Sequence, residues 1–286
     1  MRHEHDNNNF DVDLHLHTTR SDGSLTPEEV VEKALAGGLR AIALTDHDDI
    51  GVFPDIIEYA KVQGLEVLPG VELSVHFRNR DIHILGYCFD AEDQGLQDYL
   101  SIFKEERTSR ARRIVDKLLE MGIAISFEEV MSTSGEGSVG RPHIARLLVE
   151  HGYVYSFNEA FDKFIGDGRP AYVQKYRLEI QQALKLIRNA GGVCSIAHPG
   201  IQLSDDDVIA LVKHGAGAIE VIHPKHDQKK TRCYARIAEE LDVIGTGGSD
   251  FHGGKNGSLN FGRYNVSYQV VSRLKAISEY YKTRSV

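Results

Sequence analysis

Short apolar runs that end in histidine or aspartate alternate with amphipathic helical stretches along most of this 286-residue chain, and that alternation limits the fold more than any other feature. Asp11 to His17 (DVDLHLH) alternates with period two, as a strand does. Thr26-Pro27-Glu28-Glu29 then supplies an N-cap, a proline at the first helical position and a glutamate at N3, and the helix that follows stops at Gly37-Gly38. A strand over Arg40 to Thr45 comes next, then a helix around Phe53 to Gln63 that ends at Gly64. LEVLPGVELS and DIHILGYCF read as two further strands parted by a turn at Arg78-Asn79-Arg80, giving the order β-α-β-α-β-β. Between about residues 96 and 172 the rhythm breaks, because a long charged helical pattern and shorter helical pieces run on without a strand. Alternation resumes with helix LEIQQALKLIRNAGG, strand VCSIAHP, helix SDDDVIALVKHG capped by Ser204, and strand AIEVIH. A helix from Lys229 to Glu240, strand DVIGTGGSD and a last helix SRLKAISEYYK complete the chain. Strands alternating with helices imply an α/β protein with a parallel sheet or a barrel.

The unusual polar residues sit where expected strands end. Asp13-Leu14-His15-Leu16-His17 closes the first strand, Thr45-Asp46-His47 the second and Glu72 the third; His83 lies in the fourth, His198-Pro199 ends the fifth, and Ser249-Asp250-Phe251-His252 ends the last. In a parallel β/α barrel the C-terminal ends of the strands share one face, so residues far apart in sequence converge there. One His-x-His merely puts two imidazoles on one face of a strand, but histidines and carboxylates at successive strand ends are hard to explain as packing. Neutral imidazole and carboxylate together suit Mn²⁺, Zn²⁺ or Fe²⁺, and a shared carboxylate such as Glu72 can bridge two ions about 3.5–4 Å apart. Cys88, Cys194 and Cys233 are odd in number and form no CxxC pair, so neither a disulfide framework nor a thiolate metal site is expected. A multi-ion centre lowers the pKa of a bridging water and clamps the oxygens of an in-line displacement at phosphorus, which makes phosphate-ester hydrolysis its natural chemistry. With Lys+Arg 33 against Asp+Glu 42, the net charge of −9 supplies no global field for nucleic acid or acidic lipid. Bound cations would turn a pocket crowded with Asp13, Asp22, Asp46, Asp48, Asp49, Glu72 and Asp250 into an anion site.

Asp-x-His-x-His, Thr-Asp-His, the Pro-Gly-x-Glu turn at Pro69 to Glu72, Ala-His-Pro and Ser-Asp-x-His, in this order, resemble the polymerase and histidinol phosphatase (PHP) family of metal-dependent phosphoesterases. The likeness covers residues 11 to 90 and 190 to 255. HTTRSDGSLTPEEVV is similar to the subgroup that holds nucleoside 3′,5′-bisphosphate phosphatases and a 5′→3′ exoribonuclease, which also carries a helical insertion here. The resemblance implies an α/β fold, a distorted (β/α)7 barrel with a small helical insertion domain. Residues 1–10 would form a polar arm, 11–98 and 173–286 the barrel, and 99–172 an insertion domain covering the active site. It also implies two to three divalent ions, Mn²⁺ first, with Fe²⁺ or Zn²⁺ as the others. His15, His17, Glu72 and Asp250 would hold one ion; Glu72, His83 and His198 a second; Asp22, His47 and His252 a third. Catalysis would fall to His15, His17, Glu72, His198, Asp250 and His252. Asp22 stands where many relatives have histidine, which implies a weaker or differently selective third site. Asp13 and Asp46 read as carboxylates that orient neighbouring histidines, and Asp48 and Asp49 as acids serving the next helix start.

For substrate contact, Arg141 and His143 stand at an expected helix N-terminus, where free N–H groups favour an anion, and Arg107 and Lys175 are further candidates. Arg110, Arg112 and Arg113 read as a solvated helix face. His76, His151, His214, His223 and His226 read mostly as surface or loop residues, although His223-Pro224 ends a strand on the active face. The expected substrate is a small phosphorylated nucleotide, most simply a nucleoside 3′,5′-bisphosphate losing its 3′-phosphate. Alternatives are a 5′→3′ exonuclease on short oligonucleotides, a histidinol-phosphate phosphatase, and a silent metal-binding regulatory module. No extended basic groove or stacking platform suggests long nucleic acid. MRHEHDNNNF lacks the apolar region of a signal peptide, and no stretch nears the ~20 apolar residues that span a bilayer, so a cytoplasmic protein without a membrane partner is expected. His3 and His5 read as part of the polar tail, and the sequence leaves the oligomeric state open.

Overall fold

Local signals act where they stand in the chain. Thr26 accepts from the Glu29 N–H at 3.2 Å while Glu29 accepts from the Thr26 N–H at 2.7 Å, the reciprocal cap that starts α1 (Pro27–Ala36). Ser204 and Asp207 close the same box at the head of α8 (Asp205–His214). The structure, a computed structural model, describes residues 10–134, 138–174, 176–254 and 260–284. Apart from Phe10, the expected arm with His3 and His5 lies outside the described residues.

The strands are β1 (Phe10–Leu16), β2 (Ala41–Leu44), β3 (Glu66–Phe77), β4 (Arg80–Tyr87), β5 (Val193–Ile196), β6 (Ala218–Ile222), β7 (Ile244–Gly247) and β8 (Val266–Ser267). They form one sheet in the order β7-β6-β5-β4-β3-β2-β1-β8. The sheet curls until its ends meet: the His17 N–H donates to the Phe251 carbonyl at 2.9 Å, and Leu16 bridges Phe251 in parallel. The result is the distorted (β/α)7 barrel that the resemblance implies, with the two-residue β8 added antiparallel to β1.

Its distortion has a local cause. Arg78 and Asn79 have φ of 47° and 62°, the consecutive left-handed pair that a two-residue hairpin demands, so β4 folds straight back along β3. β4 is therefore antiparallel to both β3 and β5, whereas β1, β2 and β3 run parallel, as do β5, β6 and β7. A reversed strand begins at the mouth where the others end, so His83 reaches the same face from the first half of β4.

α1 and α2 (Asp55–Val62) cover β1 to β3 through Val30, Val31, Ile56 and Ala60. α7 (Ile180–Asn189), α8 and α9 (Gln228–Glu240) line the far wall, and α10 (Tyr268–Lys282) packs Val271 and Leu274 beside Val12, Leu14 and Tyr87. α3 (Gln94–Glu120) serves two cores. Leu96, Leu100 and Phe103 pack on the barrel wall, while Ala111, Ile114, Val115 and Leu118 join a separate core with α4 (Phe127–Ser134), α5 (Arg141–Glu150), α6 (Phe157–Ala160) and a π-turn at Phe161–Ile165. At roughly 1.5–3 kcal/mol per buried aliphatic or aromatic side chain, both ends of α3 are firmly held. The expected boundary at 98/99 thus falls inside one 27-residue helix. Among the described residues no helix is long and apolar enough to cross a membrane.

Candidate metal centre

Glu72 is the hub of the barrel mouth. Its Oε2 lies 3.3 Å from His15 Nε2, 3.1 Å from His17 Nε2 and 3.3 Å from His47 Nδ1. Its Oε1 lies 2.7 Å from His83 Nδ1 and 2.9 Å from His198 Nε2. Asp250 Oδ1 stands 3.4 Å from both His15 and His17, and Asp22 Oδ1 stands 3.3 Å from His252 Nε2. Candidate ligand atoms therefore gather, each within 4.8 Å of the others, as His15-His17-Glu72-Asp250, as His17-Asp22-His47-His252 and as His47-Glu72-His83. His198 joins the last group, 3.4 Å from His83. Every residue that the resemblance implies as a ligand stands at this mouth.

Hydrogen bonding alone does not account for the crowding. A carboxylate oxygen offers about two acceptor positions, yet three imidazoles face Oε2 of Glu72. Among the described residues, the Nε2 of His17 and Nδ1 of His47 are buried with no hydrogen-bond partner despite that proximity. Nitrogen and carboxylate donors aimed at common space fit divalent cations of the Mn²⁺, Fe²⁺ and Zn²⁺ type. The electrostatics divide the rings. Burial alone would push the Glu72 carboxyl up, but the imidazoles of His83, His47 and His15 hold it well below the ordinary value. Burial takes His47 down to about 3, so its ring is neutral near pH 7 and keeps a lone pair to offer. Burial opposes charge on His252 too, but the Asp22 carboxylate beside it raises that ring to about 10, so the two stand as an ion pair.

The two expected supporting acids act on different parts of the site. Asp13 accepts from the Ser249 N–H at 2.9 Å and the His15 N–H at 3.3 Å, and Asp46 accepts from the Thr18 N–H and hydroxyl at 2.8 Å and the Ser21 hydroxyl at 2.6 Å. Asp13 fixes the backbone that carries the ligands, whereas Asp46 reaches the His17 ring through the Ser21 hydroxyl, which lies 3.4 Å from His17 Nδ1. The His15 ring is oriented by Glu220, which carries no motif and is absent from the sequence expectations. Its Oε1 accepts from His15 Nδ1 at 2.8 Å and its Oε2 from the His198 N–H at 2.5 Å. The available signal was a lone glutamate inside the apolar strand AIEVI. Gly248 completes the packing, because a Cβ there would stand 2.4 Å from the His15 Cβ. His76, His223 and His226 are buried rather than superficial, and His223 Nε2 lies 3.3 Å from Asp250 Oδ2.

A cleft runs from Asp22, His47 and His83 to the helical layer, where Phe103, Arg107, Arg110, Arg141, His143 and Tyr176 line it. Arg107 donates from Nε to Asp48 at 3.0 Å and from Nη2 to the Ser74 hydroxyl at 3.2 Å. Asp48 is therefore a buried partner for α3; α2 starts at Asp55 without any side-chain cap, so neither Asp48 nor Asp49 serves it. Asp49 binds Arg20 and the Gly51 N–H instead. Arg141 donates to Asp167 at 2.7 Å, and the His143 ring accepts from the Gly140 N–H at 3.0 Å, capping α5. Arg112 and Arg113 are exposed as expected, but Arg110 is only 9% exposed. Its Nε donates to the Val173 carbonyl at 2.8 Å, while its Nη2 is buried without a partner among the described residues. Burial and the neighbouring Arg141 and Arg107 charges push Arg110 down to about 10. Lys175 lies outside the described residues.

A family profile for the PHP domain matches residues 13–245. A 5′-3′ exoribonuclease of Haemophilus influenzae is 36% identical over 245 residues, covering 84% of this chain and 89% of that protein. A 3′,5′-nucleoside bisphosphate phosphatase of Chromobacterium violaceum is 33% identical over 257 residues, covering 88% and 90%. Among solved structures, a Bifidobacterium adolescentis protein described as a metal-dependent phosphoesterase superposes with a TM-score of 0.85 at 27% identity, covering 93% of this chain and 96% of that one.

Proposed function

This chain belongs to the PHP domain family and is a metal-dependent phosphoester hydrolase; from that premise we propose that it removes the 3′-phosphate of a nucleoside 3′,5′-bisphosphate. The observation that carries the substrate is Arg110. Three guanidiniums, Arg107, Arg110 and Arg141, meet in the helical wall of the cleft, and Arg107 and Arg141 already have carboxylate partners. Among the described residues the Nη2 of Arg110 is a buried donor without a partner, which suits a second anion beyond the phosphate being cleaved. A bisphosphate brings one. Histidinol phosphate would bring a cationic amine into the same positive field.

His15, His17, Glu72 and Asp250, then Glu72, His83 and His198, then Asp22, His47 and His252 are the residues that would hold two to three ions, Mn²⁺ first. When bound, such ions supply Lewis acidity and an activated water for in-line attack at phosphorus. Arg110 holds the distal phosphate, and Phe103 and Tyr176 flank the space between. Residues 99–172 serve as an insertion domain that shields the cleft from water, tied down where Ser138 N–H meets the Arg20 carbonyl at 2.7 Å and Arg107 meets Asp48. The free thiols of Cys88, Cys194 and Cys233 suit a reducing cytoplasm.

One observation favours a second reading, a 5′→3′ exonuclease on short oligonucleotides. A second cavity, which shares His83 and Arg141 with the cleft, is lined by Arg80, Tyr172, Arg177 and Gln202 and offers basic groups to further phosphates of a longer chain. Mn²⁺-reconstituted protein offered adenosine 3′,5′-bisphosphate, histidinol phosphate and a 5′-phosphorylated trinucleotide separates the readings. Fast phosphate release from the bisphosphate, leaving the 5′-monophosphate, is the expected result. Stepwise nucleotide release at equal or better efficiency makes the protein an exonuclease, and no turnover of any substrate returns it to the regulatory module.

A further inference from the structure

Glu220 is fully buried in β6, yet both its oxygens serve other strands. Oε1 accepts from His15 Nδ1 on β1 at 2.8 Å, and Oε2 accepts from the backbone N–H of His198, just after β5, at 2.5 Å. His198 has φ 27° and ψ 54°, in the left-handed region that a non-glycine residue keeps only when its surroundings over-determine it. His223 stands in the same group, its ring nitrogen within 4.8 Å of the Glu220 oxygen.

We infer that Glu220 is the positioning residue of the metal centre: one carboxylate that turns His15 Nε2 toward Glu72 and Asp250 and holds the strained backbone that aims His198 at Glu72. The role rests on the metal reading of the mouth. Its consequence is that two adjacent ion positions are set together, the one that uses His15 and the one that uses His198. A carboxylate is required because both oxygens must accept. Glutamine has the same volume but one acceptor oxygen, so its amide nitrogen must face one of the two donors. Facing His198, it repels the N–H that fixes the left-handed turn. Facing His15, it forces the ring proton onto Nε2, the atom an ion needs.

Equilibrium dialysis against buffered Mn²⁺, followed by ion counting, tests this on the full chain. Glu220→Gln should lower the affinity of two ions together by roughly 10- to 100-fold, with an unchanged far-UV circular dichroism spectrum. His198→Ala, which deletes a ligand and leaves the Glu220–His15 bond alone, should weaken one ion. Affinities within twofold of wild type in Glu220→Gln, or loss of the same single ion in both variants, overturn the inference. Should Glu220→Gln fail to fold, the Zn²⁺-loaded wild type decides. Its long-range ¹H–¹⁵N spectrum should place a solvent-protected proton on His15 Nδ1, assigned by its loss in His15→Asn, and a proton on Nε2 overturns the role. Wild type that binds no divalent ion defeats the metal reading and this role with it, an outcome distinct from ions bound equally by both proteins.

Discussion

Arg110→Met is the sharpest probe of the proposed substrate. The change keeps the apolar stem and removes the buried guanidinium whose Nη2 has no partner among the described residues. A hydrogen bond to a charged group contributes about 1.5–3 kcal/mol, and each ~1.4 kcal/mol is tenfold, so losing one such bond to the distal phosphate costs roughly 10- to 150-fold in kcat/KM. The variant also loses the 2.8 Å bond to the Val173 carbonyl, worth about 1.5–3 kcal/mol of stability as a bond from a charged donor, which urea unfolding measures separately. Comparing adenosine 3′,5′-bisphosphate with adenosine 3′-monophosphate isolates the effect, because only the first carries the group that Arg110 is proposed to hold. The bisphosphate should lose the full factor while the monophosphate changes less than about threefold, within the spread of structural side effects. Arg110→Lys, which keeps the charge without the planar fork, should fall between. Equal losses on both substrates would show that Arg110 shapes the cleft without binding a second phosphate, and would refute the assignment.

Other outcomes follow from the same geometry. Asp250→Asn and His15→Asn should each cut turnover by more than the ~100-fold that changes to outer supporting groups cost, with the fold intact by circular dichroism; substantial retained activity contradicts the site. Asp48→Asn breaks the buried pair with Arg107 and should cost about 3 kcal/mol in urea unfolding, and a loss below about 1 kcal/mol would mean α3 is held by its apolar contacts alone. Burial pushes Asp207 up, yet Ser204 and the Arg78 and Arg80 guanidiniums hold its carboxyl below the ordinary value, so the unfolded chain takes the proton more readily. Its contribution is complete above the unfolded value of about 3.9 and is lost as pH falls through the lower folded value. Asp207→Asn should therefore cost about 1 kcal/mol at pH 7 and converge with wild type in strong acid, whereas a difference constant with pH would rule out the charge as its source.

What the sequence discloses is what acts locally or repeats. The box at Thr26 and Glu29, the left-handed turn at Arg78-Asn79 and the histidines at strand ends are all legible, because each depends on residues a few positions apart or on a rule common to all strands. Asp48 is not legible: its partner Arg107 arrives from 59 residues away. Arg110 is hidden for another reason. It stands on the same helical stripe as Leu96, Phe103 and Ile114, so its spacing marks it as buried, but its residue type and its neighbours Arg112 and Arg113 read as a solvated face. Glu220 looks like the one polar residue of a half-exposed strand, and nothing in AIEVI says that barrel closure sets β1 and the end of β5 against it.

The split of the barrel by the helical layer governs the order in which the molecule can be put together. His15, His17, Asp22, His47, Glu72 and His83 precede the layer, whereas His198, Glu220, Asp250 and His252 follow it. β4 gains its neighbour β5 only after the whole layer has been synthesised, and until then its outer edge is unpaired. A helical layer with its own core can fold in the meantime and draw β4 and β5 together, which shortens the chain that must be closed. A nascent or clipped chain that ends inside the layer thus holds the His47-Glu72-His83 group but lacks His198, Asp250 and His252. The full set of donors is complete only when Phe251 meets Leu16 and the two ends of the sheet lock.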